Sequence, residues 1–374
     1  MKDNSTSMVA HARQDGGAMQ AEDVMRILDA DAMGFASLKP ARIPKVVTYS
    51  KNVFIPLTNA CRNACAYCGF RSDKPYIMRE DEVLRILKAG AAKGCREALF
   101  TFGERPEVYP EIEKALSEMG YDSIIEYLYH LCEVSLKLGL LPHSNPGVID
   151  EAEMRALREV NASMGLMLEN ASDRLCESGM PHEHSPGKRP RERLRMIECA
   201  GKLRIPFTTG LLIGIGETSD EIALSLMYLK KLSDRYGHIQ EIIIQNFRPK
   251  KDTPMQYSRE PSLFRMLKVV RASSELFPEL AIQVPPNLNP STYAIFLLHG
   301  ASDLGGISPL TRDYINPEDA WPRVEEMRLL VRELGLTLSQ RLPIYPKYIA
   351  KGWYSERVGE VISQYATEDG YARE

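Results

Sequence analysis

From about residue 52 the chain alternates short apolar runs with longer amphipathic ones. The short runs are Asn52–Leu57, Glu97–Phe102, Leu140–His143, Ser163–Leu168, Pro206–Ile213, Glu241–Phe247, Leu280–Val284 and, more weakly, Ser302–Leu304. Most are continuous stretches of Val, Ile, Leu, Phe and Thr, the pattern of parallel strands covered on both faces. Helical patterns lie between them. In 81–92, Val83, Ile86, Leu87 and Ala91 share one face, and in 219–232 Ile222, Leu226 and Leu229 do the same. Thr218 with Glu221 forms a capping-box signature at the start of the second. Seven or eight such β-then-α units predict an α/β protein built as a (βα)8 barrel, whole or partial, with an open doubly wound sheet as the alternative. No repeat, low-complexity tract or Pro/Gly/Ser linker divides the chain. We therefore expect an N-terminal tail and helical extension over 1–44, a barrel over 45–345 and a C-terminal wrap over 346–374. Barrel enzymes carry their chemistry on the loops after the strands.

Composition adds mainly exclusions. With 47 Lys and Arg against 50 Asp and Glu, a net charge of −3 and 44% hydrophobic residues, the chain is neither disordered nor a basic nucleic-acid binder. The near-neutral charge offers no field for nucleic acid or membrane. No apolar stretch reaches the ~18–20 residues of a membrane span; Tyr293–Leu298 is far too short. Residues 1–20 are polar, without a basic segment leading into an apolar one, and read as a loose tail instead of a signal peptide. The expected compartment is a reducing cytoplasm. Seven cysteines, an odd number in a long chain, argue against a disulfide framework.

Three of those cysteines stand together. The loop after the first strand carries Cys61, Cys65 and Cys68 in the spacing C-x3-C-x2-C, with Tyr67 before the last. Thiolates this close can converge on one soft metal centre. A structural zinc site would need a fourth ligand, and no Cys or His follows at finger-like spacing. An iron–sulfur cluster normally takes four cysteines, so three leave one iron without a protein ligand. Cys95, Cys132, Cys176 and Cys199 are scattered singly and read as packing residues.

This triad, with its aromatic residue at the end of a first barrel strand, resembles that of the radical S-adenosylmethionine (SAM) superfamily. The resemblance implies a [4Fe–4S] cluster on Cys61, Cys65 and Cys68, SAM on the open iron, and a 5′-deoxyadenosyl radical that abstracts hydrogen. It also marks SAM contacts at Tyr67 and on later strand ends. Gly103 and Glu104 match the last two positions of a Gly-Gly-Glu stretch in which Phe102 replaces the first glycine. Glu169 and Arg174 suit the two charged ends of an amino acid, with a surface ion pair as the other reading. Gly214 and Gly216 lie in a glycine-rich stretch like the one flanking the adenine; it is no dinucleotide fingerprint, because position 219 is Ser219. His182 and His184 could share a cation, but their Pro/Gly-rich setting reads as a solvent-exposed loop, and we expect no second metal there.

Longer strings narrow the resemblance to a family. They include Leu141-Pro-His-Ser-Asn-Pro-Gly147, His184-Ser-Pro-Gly-Lys188, Ile244-Gln-Asn-Phe-Arg-Pro-Lys250 and Asp303-Leu-Gly-Gly-Ile-Ser-Pro309. Over about residues 45–345 they resemble the CofG-type subunits of 7,8-didemethyl-8-hydroxy-5-deazariboflavin (FO) synthase, from coenzyme F420 biosynthesis. The resemblance implies a lyase whose partner, a CofH-type subunit, joins tyrosine to a ribityl-diaminouracil. The CofG-type enzyme takes the adduct, 5-amino-5-(4-hydroxybenzyl)-6-(D-ribitylimino)-5,6-dihydrouracil, abstracts a benzylic hydrogen and closes the central ring with loss of ammonia. A reductant protein would supply the electron. For the ribityl chain and uracil edge the strand ends offer Gln245, Asn246, Asn287 and Asp303, residues that also cap loops for their own reasons. For proton transfer they offer Tyr67, Glu104 and His143. A CofH-type or menaquinone-pathway (futalosine) radical SAM enzyme, and a structural or electron-transfer metal–cysteine protein, are the competing readings.

Overall fold

The structure, a computed structural model, describes residues 19–39 and 41–373, so the polar tail read at 1–20 falls almost wholly outside it. Eight parallel strands occupy the eight apolar runs: β1 (Val46–Ile55), β2 (Glu97–Thr101), β3 (Leu141–Asn145), β4 (Ser163–Gly165), β5 (Phe207–Ile213), β6 (Ile239–Asn246), β7 (Ala281–Gln283) and β8 (Asp303–Ile307). They pair in sequence order, and β1 pairs with both β2 and β8, so the sheet closes into a barrel and the open-sheet alternative falls. Phe207–Ile213 is buried at every position, as a strand between barrel interior and helical coat must be. The two sequence-predicted helices form over Glu80–Ala92 and Ser219–Tyr236, the second with its Thr218/Glu221 capping box. A short N-terminal helix, Ala21–Leu28, buries Val24, Ile27 and Leu28 in the same core. Among the described residues no helix is long and apolar enough to cross a membrane.

A ninth strand, β9 (Thr337–Arg341), was not anticipated; it lies parallel to β1 from Val46↔Thr337 to Ser50↔Arg341. Its reason is a mismatch of lengths. The pairing of β1 with β2 begins only at Asn52↔Glu97, which leaves the first half of that ten-residue strand without a partner on that edge. Unpaired backbone groups in a buried sheet are costly, and β9 supplies their partners.

The ninth strand also delivers a charge to the barrel floor. Glu97 opens β2, Asp303 opens β8, and Glu241 stands third in β6, so three carboxylates meet at the N-terminal ends of the strands. Arg341 reaches into them: Nε and Nη2 donate to the two Asp303 oxygens (2.7 and 3.0 Å), and Nη2 also to Glu241 Oε2 (3.1 Å). All four residues are buried. Burial pushes the Glu97 carboxyl up to about 7 and raises Glu241 as well, with Arg341 opposing both. The chain then crosses beneath the floor, where Pro343 O accepts from Ser163 Oγ (2.6 Å) and Gln240 Nε2 (3.0 Å), and Tyr345 OH donates to Glu241 Oε2 (2.7 Å). Helices Pro346–Ala350 and Glu356–Tyr365 pack behind it around Tyr348, Val358 and Ile362.

Removing one partner from a buried ion cluster leaves the others uncompensated, at about 3–5 kcal/mol. Arg341→Met should lower unfolding free energy by that amount in denaturant titration and speed amide exchange over residues 337–345. A change below about 1 kcal/mol, the scale of an exposed pair, would contradict the assignment.

Candidate active site

The loop after β1 is held from two sides. Arg62 N–H donates to Glu104 O (2.9 Å) beside β2, while Ala64 and Ala66 N–H donate to His184 O (3.0 Å) and Pro181 O (2.9 Å). Asn63 Oδ1 accepts from Gly187 N–H (2.8 Å). These ties aim all three triad cysteines into one cavity of about 370 Å³, which runs from their loop down the barrel axis to Arg341 and Pro343. Polar hydrogens converge on the sulfurs: Asn63 and Glu104 N–H donate to Cys61 Sγ (3.4 and 3.2 Å), and Ser185 Oγ donates to Cys65 Sγ (3.3 Å). Burial raises the Cys61 and Cys65 thiols, so without a metal they favour the protonated form, and binding would release protons. Among the described residues no group of three His, Cys, Asp or Glu side chains could hold a single metal ion. A cluster is a different demand, because it presents a separate iron to each thiolate. Three cavity-facing cysteines, two of them backed by hydrogen-bond donors, fit such a group.

Glu104 is the residue that locks this loop. It is 3% exposed, and its carboxylate meets Arg62 Nε (2.7 Å), Val148 N–H (2.9 Å) and, farther off, Arg193 (4.0 Å). Burial acts to raise its carboxyl, but Arg193, the Val148 amide and Arg62 outweigh it and hold the group below the usual carboxylate range. Two glycines make the fit possible: a Cβ on Gly187 would fall 1.7 Å from Glu104 Oε1, and one on Gly103 would fall 1.8 Å from Ala60 O. Glu104 lines the cavity as an ionised, fully engaged anchor, which does not suit the acid–base role offered for it.

The other candidates separate as sharply. Tyr67 faces the cavity with its hydroxyl on His182 Nε2 (2.9 Å); burial first, then the Glu169 charge, raises the phenol well above its ordinary value. His182 is therefore 2% exposed and not part of a solvent loop, while His184 beside it is exposed as expected. Burial, then the Arg341 charge, holds the cavity-lining His143 imidazole down at about 4, so it is neutral near pH 7. Ser163 Oγ commits its proton to Pro343 O, so His143 Nδ1 donates to that hydroxyl (2.6 Å), and Nε2 keeps a lone pair. With the proton on Nδ1, Asn145 Oδ1, 3.3 Å from Nε2, is itself an acceptor and cannot donate to it.

Glu169 lines the cavity but pairs with Lys188 (2.5 Å), not Arg174. Arg174 sits off the cavity on Glu221 (2.7 Å) and Gly216 O (2.7 Å), so the structure does not bring the expected pair together. Gly214 and Gly216 also lie outside the lining, in left-handed backbone (φ +101° and +105°) around the Glu217 carboxylate, which accepts from Gly214 and Ile215 N–H. Of the four proposed substrate residues, Gln245 and Asn246 line the cavity. Asn287 is instead bound to Asp313 (3.0 Å) and Asp303 to Arg341, both away from it. Lys188, Arg193 and the floor residues Glu97, Glu241 and Gln283 line it and were not singled out. For Lys188 the family-like string His184–Lys188 was the available signal. Cys95 and Cys132 are buried packing residues, and Cys176 and Cys199 are half-buried.

Residues 55–229 match the family model described as the radical SAM superfamily. The chain is 57% identical over 313 residues to a 7,8-didemethyl-8-hydroxy-5-deazariboflavin synthase of Methanocaldococcus jannaschii, covering 83% of this chain and 87% of that one. It is 55% identical over 320 residues to the synthase of the same name from Methanothermobacter thermautotrophicus, covering 85% and 97%. Against that of Methanopyrus kandleri the identity is 51% over 335 residues, 88% of this chain and all of the other. Among solved structures the fold is similar to methylornithine synthase (PylB), with TM-score 0.66, 19% identity and 87% and 95% coverage. It is also similar to the [FeFe]-hydrogenase maturase HydG, with TM-score 0.71, 16% identity and 92% and 78% coverage.

Two outcomes follow from this geometry. Gly103→Ala forces a methyl group against the Ala60 carbonyl beside Cys61, so iron and sulfide retained per chain after anaerobic reconstitution should fall several-fold; full retention would contradict the close approach. His143 has a folded-state value below its unfolded ~6.5, so its contribution is complete above that pH and is lost as pH falls toward 4, by about 3 kcal/mol. His143→Gln should flatten that part of the acid limb in pH-dependent denaturation, and superimposable limbs would rule the effect out.

Proposed function

Since the chain belongs to the radical SAM superfamily and, within it, to the FO synthase family of deazaflavin biosynthesis, we propose that its cavity performs the ring-closing, ammonia-releasing half of FO formation, a lyase reaction. The observation that carries this reading is the cavity that joins three cysteines, two of them backed by hydrogen-bond donors, to a polar barrel interior. Cys61, Cys65 and Cys68 would hold a [4Fe–4S] cluster with one iron open to SAM. When bound, the two supply a hydrogen-abstracting organic radical, chemistry that no side chain here offers. The chain's own residues bind, orient and shield. Phe102, Leu166, Leu212 and Phe247 give the upper cavity apolar walls that exclude water from the reacting carbon. Glu169 and Lys188, paired at that level, offer opposite charges to the amino and carboxylate ends of SAM.

Loss of ammonia requires a proton to move within the cavity. His143 is the group suited to accept a hydrogen bond from the substrate, through the lone pair on Nε2. Tyr67, tied to His182, is better placed to orient than to ionise, and Glu104 is committed to the cysteine loop. Gln245 and Asn246 present amides to the uracil edge, the latter with Oδ1 already accepting from Asn289 (2.9 Å). The adduct would come from a CofH-type partner and the electron from a reductant protein, both in the cytoplasm.

The test is a pair of feeds to the reconstituted, reduced enzyme. The preformed hydroxybenzyl–uracil adduct should yield fluorescent FO and 5′-deoxyadenosine, whereas tyrosine with the diaminouracil should yield none. Consumption of free tyrosine would assign the other half-reaction instead. Alanine at Cys61, Cys65 or Cys68 should abolish SAM cleavage, and Cys95→Ala should retain it.

A further inference from the structure

The lower half of the cavity has chemistry that the steps above leave unused. Gln283, at the end of β7, lines it at 9% exposure, and its side-chain amide bonds to no group among the described residues. Glu97 faces the same space; Ser50 Oγ donates to its Oε2, and its other oxygen takes no hydrogen bond from described residues. Glu241 is different, its oxygens occupied by Thr208 (2.7 Å), Tyr345 and Arg341, so it backs the site. An amide and a carboxylate oxygen that line a cavity without protein partners are free to meet the polar groups of a ligand there.

We propose that Gln283 and Glu97 form the subsite for the polyhydroxyl chain of the substrate, with Arg341 and Glu241 holding its floor. The proposal rests on the functional reading above, which gives the substrate three parts: a phenol, a uracil ring and a ribityl chain. The benzylic carbon must lie at the cysteine end, where hydrogen abstraction occurs, so the part farthest from it occupies the lower half. Glu97 is four residues before Thr101 on β2, about 13 Å down the strand at ~3.3 Å per residue. That depth accommodates a ring followed by an extended five-carbon chain. The functional groups also match. An acceptor-rich floor suits the hydroxyl donors of a polyol, and the Gln283 amide can both give and accept. The phenol in the same place would bring a single hydroxyl on an apolar ring, whereas the ribityl chain brings hydroxyls along its whole length. Apolar walls lie higher, at Leu166, Leu212 and Phe247, where the aromatic part belongs.

Equilibrium dialysis with reconstituted enzyme tests this, using the ribityl adduct and an analogue carrying N-methyl in place of the ribityl chain. The natural enzyme should bind the ribityl adduct at least roughly tenfold more tightly. Gln283→Met loses no protein partner, so its Tm should be unchanged or slightly higher. Its Kd for the ribityl adduct should rise roughly tenfold while that for the methyl analogue stays within about twofold. Glu97→Ala should show the same selectivity and serves as the second variant. Equal weakening of both ligands, or no weakening of either, would overturn the subsite. FO formation measured alongside separates the two readings. FO made without discrimination between the ligands removes the subsite and keeps the function; discriminating binding without FO keeps the subsite and removes the function.

Discussion

One guanidinium governs the architecture. Arg341 stands where three carboxylates converge at the N-terminal ends of the strands, and without it the barrel floor would concentrate negative charge among buried groups. Its position follows from β9, which follows in turn from the excess length of β1 below Glu97. The bottom of the barrel is therefore closed off by a strand that its eight-fold repeat does not contain. Everything above depends on that closure: the cavity has a bottom at Pro343, His143 feels the Arg341 charge, and the interior has room for polar ligands without being a pore.

At the other end of the axis the logic is similar but the charges are reversed in role. There a single carboxylate, Glu104, gathers Arg62, Arg193 and the Val148 amide, and its own peptide N–H turns to Cys61. Two glycines bring the backbone closer than any side chain would permit. The cysteine loop thus owes its shape to fixed electrostatics and close approach, not to its short, Asn- and Ala-rich sequence.

Much of this was legible in the sequence. The eight strands announced themselves because parallel strands buried on both faces must be continuously apolar, as Pro206–Ile213 shows. The triad was legible because three thiols in eight residues have few other uses. β9 was not, since Thr337-Leu-Ser-Gln-Arg341 is short, polar and alternating. Glu97 and Glu241 looked like the polar edges of apolar runs, and only closure of the barrel turns those edges inward. His182 was misjudged for a related reason: its Pro/Gly-rich neighbourhood reads as exposed, but Tyr67, more than a hundred residues earlier, covers it. Glu169 and Arg174 are close in sequence, yet the left-handed backbone at Glu169 (φ +63°) sends the two side chains to different partners.

The late position of β9 has a consequence for synthesis. A ribosome releases the cysteine loop before any strand after β1, whereas the residues that seal the chamber lie beyond Leu336 and emerge after all eight barrel strands. Until they dock, one edge of β1 below Asn52 lacks its partner strand and three carboxylates face one another uncompensated. A nascent chain can thus present its metal ligands long before it possesses a closed room for chemistry. Order of emergence keeps the two capacities apart in time, the ligands first and the enclosure after.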